Sequence, residues 1–362
     1  MAFKNLQFLL GNSKMEEDLL PTDETNDGVE VTADIAVKVA EDNEATDVLT
    51  EDLDTVDDEI TEQEEILDDV ETLRYIASNI RKFGTNPASF DIINMKNRLN
   101  RIIKEVPALE SLSSVGRNEA ESQTLVSGIE SVVSSFYEKA GTVTDELITK
   151  ADCANKRTLA LIPRMKKKIS LAKKMLNDAN PDPKKLETAV VTNYGYGKIM
   201  NTVNAINTLL KNSDRIHTAV GIKDNGTITV VPCTESFGTN ALSALGLGIE
   251  ENRIVNTEKV KRNKIKLSAI DKQKLVQLAD QIFVACESFK TVEENLATFK
   301  NSLKAKMFKD DTPQSKAKQN LYFTNKMKSL YSYLRVVNKA ERQLCKLCNN
   351  YVTLCSAYSK VK

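Results

Sequence analysis

The chain has little of what β-rich folds and nucleotide-binding enzymes need. Its 362 residues include no Trp, one His, 13 Gly and 8 Pro, and only 6% are aromatic. A turn-rich all-β fold and a glycine-loop nucleotide enzyme are therefore disfavoured. Because His217 is the only histidine, acid–base and nucleophilic catalysis have almost no candidate residues. The sequence predicts a protein that is not an enzyme and has no catalytic residues and no cofactor.

Long apolar runs are also missing, since no stretch approaches the ~18 residues that a transmembrane helix needs. We therefore predict no membrane partner and, without a small-residue cleavage site near the start, no secretion. Six cysteines without a disulfide rhythm indicate a reducing cytoplasm, or an assembly made there. Cys345, Cys348 and Cys355 resemble half a zinc site, but no fourth ligand lies nearby. Core packing is the favoured interpretation, ahead of a redox role or a metal site.

Charge is divided sharply along the chain, although the formal net charge is only −1. Residues 1–73 carry 24 acids and three lysines, a net of −21. The remaining 289 residues carry 27 acids and 47 bases, a net of +20. Such a basic body attracts phosphate polymers or acidic proteins, and the acidic leader is an internal counter-charge that masks it.

We predict three segments from this division. Residues 1–51 are an acidic leader, disordered when alone because they hold too little apolar area. Residues 52–110 are an acidic helix, running from Leu53 to Phe83, and a connector, which together with the leader form a candidate propeptide. Residues 111–362 are a basic helical body.

The predicted fold is mainly α: an elongated helical bundle with long heptad-patterned C-terminal helices and one small β-hairpin insert. Prolines mark several helix boundaries. The expected helices of the body and connector are residues 89–105, 118–149, 154–179, 184–212, 268–307 and 315–359.

Two apolar seams advance in steps of three and four residues, from Leu275 to Leu303 and from Phe323 to Tyr358. An antiparallel helical hairpin joined by residues 308–314 is the simplest arrangement. A homo-oligomer forms through the seams if they close between chains instead. The exception to helix is residues 217–235, where two β-branched runs flank Asn225-Gly226 and predict the hairpin. Residues 236–250 read as a flexible loop with a short helix.

Basic clusters recur along the body and are the candidate phosphate-binding residues. Lysine and arginine in this spacing suit backbone contacts to double-stranded DNA without base reading. A solvated helix face is the equally weighted alternative. The residues are Arg164, Lys166, Lys167, Lys168, Lys173, Lys174, Lys261, Arg262 and Lys264.

Two glycine-containing stretches offer weaker phosphate-binding signals. The run from Asn193 to Lys198 holds two tyrosines and two glycines, but it lacks a P-loop spacing, so a helix break or a close contact is favoured. Gly246-Leu-Gly248 lacks the third glycine of a dinucleotide fold.

An acidic leader ahead of a basic helical body resembles the internal head (prohead core) proteins of large contractile-tailed bacteriophages. The likeness rests on this organisation and on runs such as Thr50-Glu-Asp-Leu-Asp-Thr-Val-Asp-Asp-Glu-Ile. The resemblance implies that a prohead protease removes the leader during capsid maturation. It also implies that the body stays in the virion interior with packaged DNA or the inner capsid proteins.

Proteases of that family cut after a Glu preceded two residues earlier by a small residue. Gly28-Val29-Glu30 and Ala108-Leu109-Glu110 fit, as do sites ending at Glu130 and Glu287. Charge favours Glu110, because a cut there leaves 24 acids and 40 bases. Glu30 would be a first cut only.

The sequence therefore predicts a virion structural protein of the head interior. The first alternative is a cytoplasmic nucleic-acid-associated or scaffold protein that keeps its acidic arm as an autoinhibitor. The second is a virion surface or tail component that oligomerises through its seams, and an enzyme is the least favoured reading.

Overall fold

The computed structural model describes residues 33–83, 119–211, 220–223, 226–231, 237–250, 253–257, 263–305 and 312–361. Over these ranges the protein is mainly α-helical, which confirms the predicted class. The predicted helix 89–105 and the residues His217, Glu110 and Glu30 lie outside them.

Eight α-helices and six short strands form the described part of the chain. The helices are α1 Ala33–Phe83, α2 Glu119–Asp178, α3 Pro183–Thr188, α4 Tyr196–Lys211, α5 Thr239–Leu245, α6 Lys272–Ser288, α7 Val292–Lys304 and α8 Pro313–Ser359. The strands are β1 Val190–Asn193, β2 Val220–Ile222, β3 Ile228–Val230, β4 Leu247–Glu250, β5 Arg253–Asn256 and β6 Asn263–Lys266. Two 3₁₀ turns, Leu267–Ala269 and Phe289–Thr291, precede α6 and α7.

The chain divides into two compact units, and both long helices contribute to each. Unit 1 holds Met1–Asp42 and Thr61–Val143. Unit 2 holds Asn43–Ile60 and Thr144–Lys362. We call residues 43–60 of α1 the acidic segment, because they include eight acids and no lysine or arginine.

Unit 1 is built on an antiparallel pairing of α1 with α2. Arg74 donates a hydrogen bond to the Tyr137 hydroxyl at 3.3 Å, and Arg81 pairs with Glu130. Apolar side chains recur every three or four residues on both helices and are buried, as expected of a helix pair. They include Ile66, Leu67, Val70, Leu73, Ile76, Val126, Ile129 and Val133.

The acidic region is more ordered than its composition predicts. Helix α1 begins at Ala33, well before the expected helix start at Leu53. The acidic segment belongs to unit 2, which also holds most of the basic body. Four apolar side chains one helical turn apart are buried, whereas Asp47, Glu51, Asp54 and Asp58 are exposed.

Helix α2 is continuous where the sequence predicts a break near residues 150–153. That stretch contains neither Gly nor Pro. Ala151 and Ala154 are buried and carry the apolar stripe across it. The predicted helices 118–149 and 154–179 are therefore one helix, and it ends before Pro181 and Pro183 as expected.

The predicted helix 184–212 is wrong, because α3, β1 and α4 occupy it. The β-branched run from Val190 pairs antiparallel with β6, Val190 opposite Lys266 and Thr192 opposite Lys264. Gly195, at φ 82°, lets the chain turn into α4.

The predicted hairpin is present as β2 and β3, with Ile222 opposite Ile228. Its loop closes with Gly226 N–H donating to the Lys223 carbonyl at 2.8 Å. Gly226 has φ 75°, as in a hairpin with a left-handed loop residue. The prediction of one hairpin was too few, because the described residues contain two further antiparallel strand pairs, β1–β6 and β4–β5. The region 236–250 contains the expected short helix, α5, and in addition the strand β4.

The two seams meet inside unit 2 as an antiparallel packing of α6 and α7 on α8. The Gln319 side chain donates to the Ala305 carbonyl at 3.2 Å, and Asn295 donates to the Tyr333 hydroxyl at 3.2 Å. From Gln319 to Tyr333 on α8 the partners run backwards, from Ala305 to Asn295, so the helices are antiparallel. This confirms the predicted helical hairpin. The seam residues from Leu275 to Leu303 and from Met327 to Tyr358 are buried within one chain.

The ends of the seam helices carry the caps expected from their sequence. Thr312 accepts from Ser315 N–H at the start of α8, where Pro313 takes the first helical position. Asp271 accepts from the backbone N–H groups of Gln273 and Lys274 at the start of α6. None of the described helices combines the length and apolar content needed to cross a bilayer.

A candidate charge-paired surface on the basic body

The structure divides the predicted phosphate-binding residues of α2 between two faces. Lys173 lies 2.7 Å from an Asp280 carboxylate oxygen, and Lys166 pairs with Glu287, so both bind α6. Lys290 also pairs with Glu287. Hydrogen bonds from Lys166 and Lys290 lower the pKa of Glu287 to about 2. Lys166 and Lys173 thus form ion pairs between α2 and α6.

The other face of α2 is exposed and basic. Lys167 and Lys174 are exposed and form no ion pair with the described residues. Seven residues separate them, which places them on one side of the helix about 10 Å apart. Arg164, one turn before Lys167, is exposed on this side and has a partner of its own. Lys168 is half-buried, also has a partner, and acts electrostatically on Cys348 of α8. We call Lys167 and Lys174 the free lysines.

Not all of the predicted cluster gathers here. Lys264 is exposed on β6, a different element from α2. Lys261 and Arg262 lie outside the described residues. The predicted residues, which recur along the body, thus lie on at least two elements, α2 and β6.

Sequence reasoning missed a second charged arrangement, between the acidic segment and two helices of unit 2. On α2, Arg157 pairs with Asp52 and Lys150 pairs with Glu59. A signal for it exists in the sequence, because both the acids and the bases are seven residues apart. Matching spacings of opposite charge indicate that two helices can pair, but not in which direction.

Arg342 of α8 completes this arrangement from another direction. It pairs with Asp54 and, at 2.9 Å, with Asp57. Asn338 donates to Asp57 at 3.1 Å. Burial raises the pKa of Asp57, while the bond from Asn338 and then the positive charge of Arg342 oppose that rise.

Apolar packing holds the acidic segment in place beneath these ion pairs. Leu49, Leu53, Val56 and Ile60 are at most 1% exposed. Exposed ion pairs contribute at most ~1 kcal/mol each, whereas each fully buried aliphatic side chain contributes ~1.5–3 kcal/mol. The apolar stripe therefore dominates the docking of the acidic segment, and the charges set its orientation.

The three cysteines of α8 lie in the core, where the seam pattern predicts Cys348 and Cys355. Cys345, Cys348 and Cys355 are buried and unpaired. Burial raises the pKa of Cys345 to about 12, which leaves the thiol protonated and unreactive. Within the described residues, no group of three or more His, Cys, Asp or Glu side chains is placed to hold a metal ion.

The Asn193 side chain fixes the glycine-containing run after β1 by hydrogen bonds. The Asn193 side-chain oxygen accepts from Tyr194 N–H at 2.7 Å and from Gly195 N–H at 3.4 Å, and its amide donates to the Asn350 carbonyl at 3.0 Å. This geometry matches the predicted helix break. Gly246 ends α5 in a left-handed conformation and has a capping role of the same kind.

No protein-family model, no curated protein and no solved structure matches the chain.

Proposed function

We propose that this chain is a non-enzymatic structural protein of a phage particle. It is an internal head protein that lies in the virion interior and associates non-specifically with packaged DNA or the inner capsid. The observation that carries the proposal is the pair of free lysines on the exposed face of α2. Cations without an acidic partner are the groups that neutralise a phosphate backbone.

The division of charge supports maturation by a prohead protease. Removing residues 1–110 would take away a net charge of −17 and leave a body at +16. The packing of the acidic segment adds a condition to this scheme. A cut after Glu110 breaks the covalent link but leaves the apolar stripe buried, so the acidic segment must also be released or it stays bound to the body.

One observation favours a second candidate function, a cytoplasmic scaffold or nucleic-acid-associated protein with a permanent acidic arm. The acidic segment contributes four buried apolar side chains to unit 2. A segment with that role is part of the fold rather than a removable tail. In this alternative the segment keeps Lys150, Arg157 and Arg342 neutralised throughout the life of the protein.

The intact mass and N-terminal sequence of the protein from its native source separate the two candidates. Under the internal head proposal we expect a mature start at Ser111, or after another Glu of the same pattern. A cleaved peptide that contains residues 43–60 and co-purifies with the trimmed body would show that the acidic segment stays docked. An intact start at Met1 or Ala2 would contradict maturation and favour the permanent arm.

DNA binding tests the free lysines directly. We expect K167E/K174E to weaken binding of the chain to random-sequence duplex DNA. It should also reduce the slope of log affinity against log salt by about 2, roughly 0.9 for each lost phosphate contact. Fluorescence anisotropy across a salt series measures both quantities.

The matched control is K316E/K346E, which makes the same change of charge at two exposed lysines of α8. It should shift affinity through net charge alone and leave more of the salt slope intact. Equal slopes for the two double variants would rule out the α2 face as the DNA contact.

A further inference from the structure

Glu341 interrupts the apolar seam of α8 with an ionisable group. Val337 and Leu344 flank it one turn before and one turn after, and all three side chains are buried. Both carboxyl oxygens of Glu341 lack a hydrogen-bond partner among the described residues. A carboxylate in this position would be costly, because burial strips its hydration without supplying a counter-charge.

Helix α2 faces this position with polar groups of its own. Asn155 and Thr158 are fully buried and lie one turn apart on α2. The Asn155 amide and the Thr158 hydroxyl make no hydrogen bond of normal geometry to a described residue, although Thr158 is close enough to the Glu341 carboxyl to lower its pKa. The Thr158 hydroxyl therefore lies beside the Glu341 carboxyl, with Asn155 one turn away on the same helix, in a core where nearly every buried polar group is normally satisfied.

The cations near this layer are engaged elsewhere. Arg342 follows Glu341 in sequence, but its guanidinium pairs with Asp54 and Asp57 of the acidic segment. Arg335, two turns earlier on α8, acts on Asp57 as well and has a partner of its own. No described cation therefore pairs with the Glu341 carboxyl.

The remaining titratable neighbours are thiols. Cys345 lies one turn after Glu341 on α8. Cys286 of α6 lies close enough to Cys345 to act on it electrostatically. Burial raises the pKa of Cys345 to about 12 and that of Cys286 to about 11. Both stay neutral at physiological pH and supply no positive charge.

Burial likewise raises the pKa of Glu341 to about 8, and the Thr158 hydroxyl and then the charge of Arg342 oppose the rise. Glu341 is therefore mainly the neutral acid at pH 7. A protonated carboxyl is both a donor and an acceptor, which suits the amide and hydroxyl that face it.

We propose that Asn155, Thr158 and Glu341 form an internal proton-binding site that holds α2 against α8 only while the Glu341 carboxyl is uncharged. Loss of the proton places an unpaired negative charge between the two helices. The packing of unit 2 is then linked to pH, independently of any role in binding DNA.

The sign of the linkage follows from the two states of the chain. In the unfolded chain a Glu titrates near pH 4.3, so between that pH and about 8 the folded state binds one more proton. Stability contributed by this site is therefore fully present below the unfolded pKa and falls as pH rises toward 8. One linked proton changes the folding equilibrium tenfold for each pH unit inside that window.

The test compares thermal unfolding of the full-length wild type and E341Q from pH 5 to pH 9. Gln has the shape of the neutral acid and does not ionise. We expect the wild type to lose stability relative to E341Q as pH rises, by up to about tenfold per unit in the folding equilibrium constant.

The matched control is E287Q, at the partner of Lys166 on α6. Because the pKa of Glu287 is about 2, its titration lies below the pH range of the experiment. Its unfolding curves should therefore run parallel to the wild type across pH 5–9, whatever offset the lost ion pair produces.

Parallel curves for wild type and E341Q would overturn the proposal. If E341Q does not fold, infrared spectroscopy of the wild type alone still tests whether Glu341 is protonated. The carbonyl band of a protonated carboxyl should be present at pH 7 and disappear by pH 9–10. Its absence at pH 7 would show that Glu341 is ionised in the folded chain.

Discussion

Replacing Leu53 by alanine is expected to destabilise unit 2 by about 2–5 kcal/mol, the usual cost of removing a buried leucine side chain. Leu53 lies in the most acidic part of the chain, yet it is only 1% exposed. The cost arises because the truncated side chain leaves a cavity among residues that cannot fully close it. For a unit of this size we expect the melting temperature to fall by roughly 5–20 °C, which differential scanning calorimetry measures.

The control for this prediction is Asp58→Ala in the same helix. Asp58 is exposed, so its replacement should change the free energy of unfolding by no more than about 0.5 kcal/mol. A similar small effect for both variants would show that the acidic segment is peripheral to unit 2. That outcome would restore the picture of a removable leader.

Replacing Phe299 by alanine should have an even larger effect, about 3–5 kcal/mol. Phe299 is fully buried on α7, and its ring centroid lies 5.6 Å from that of Tyr333 on α8. The variant loses the buried ring area together with the aromatic contact between the two seams. Chemical unfolding at constant temperature gives the difference directly from the midpoint and the slope.

The neighbouring position supplies the comparison. Thr298 precedes Phe299 and is exposed, so Thr298→Ala should be nearly neutral. If Phe299→Ala were equally mild, α7 would not be packed on α8 in solution. The antiparallel closure of the seams within one chain would then be wrong, and closure between chains would become the better explanation.

The seams and the β2–β3 hairpin were predictable because each depends on neighbours in sequence. Steps of three and four from Leu275 onward define one helix face. Asn225-Gly226 between β-branched runs defines a turn. The β1–β6 pair was not predictable in this way, since Val190 and Lys266 are far apart in sequence and Asn263–Lys266 has a single apolar residue, Ile265.

The candidate site was predictable only in part, for a different reason. Composition identified lysines on α2, but it could not separate Lys167 from Lys166, because that depends on which face α6 covers. The acidic segment misled the sequence reasoning in the opposite direction. Eight acids in 18 residues suggest a solvated chain, and only the periodic placement of four apolar residues indicates burial.

The seven-residue match between Asp52 and Glu59 on one helix and Lys150 and Arg157 on the other leaves an ambiguity of alignment. If α1 slid along α2 by one heptad, Glu59 would meet Arg157, and an ionic contact would survive the shift. Asp54 and Asp57 would then lie about 10 Å from Arg342, a distance set by the helical rise. The ion pairs with Arg342 of α8 therefore make the observed alignment of α1 on α2 more stable than the alignment shifted by seven residues.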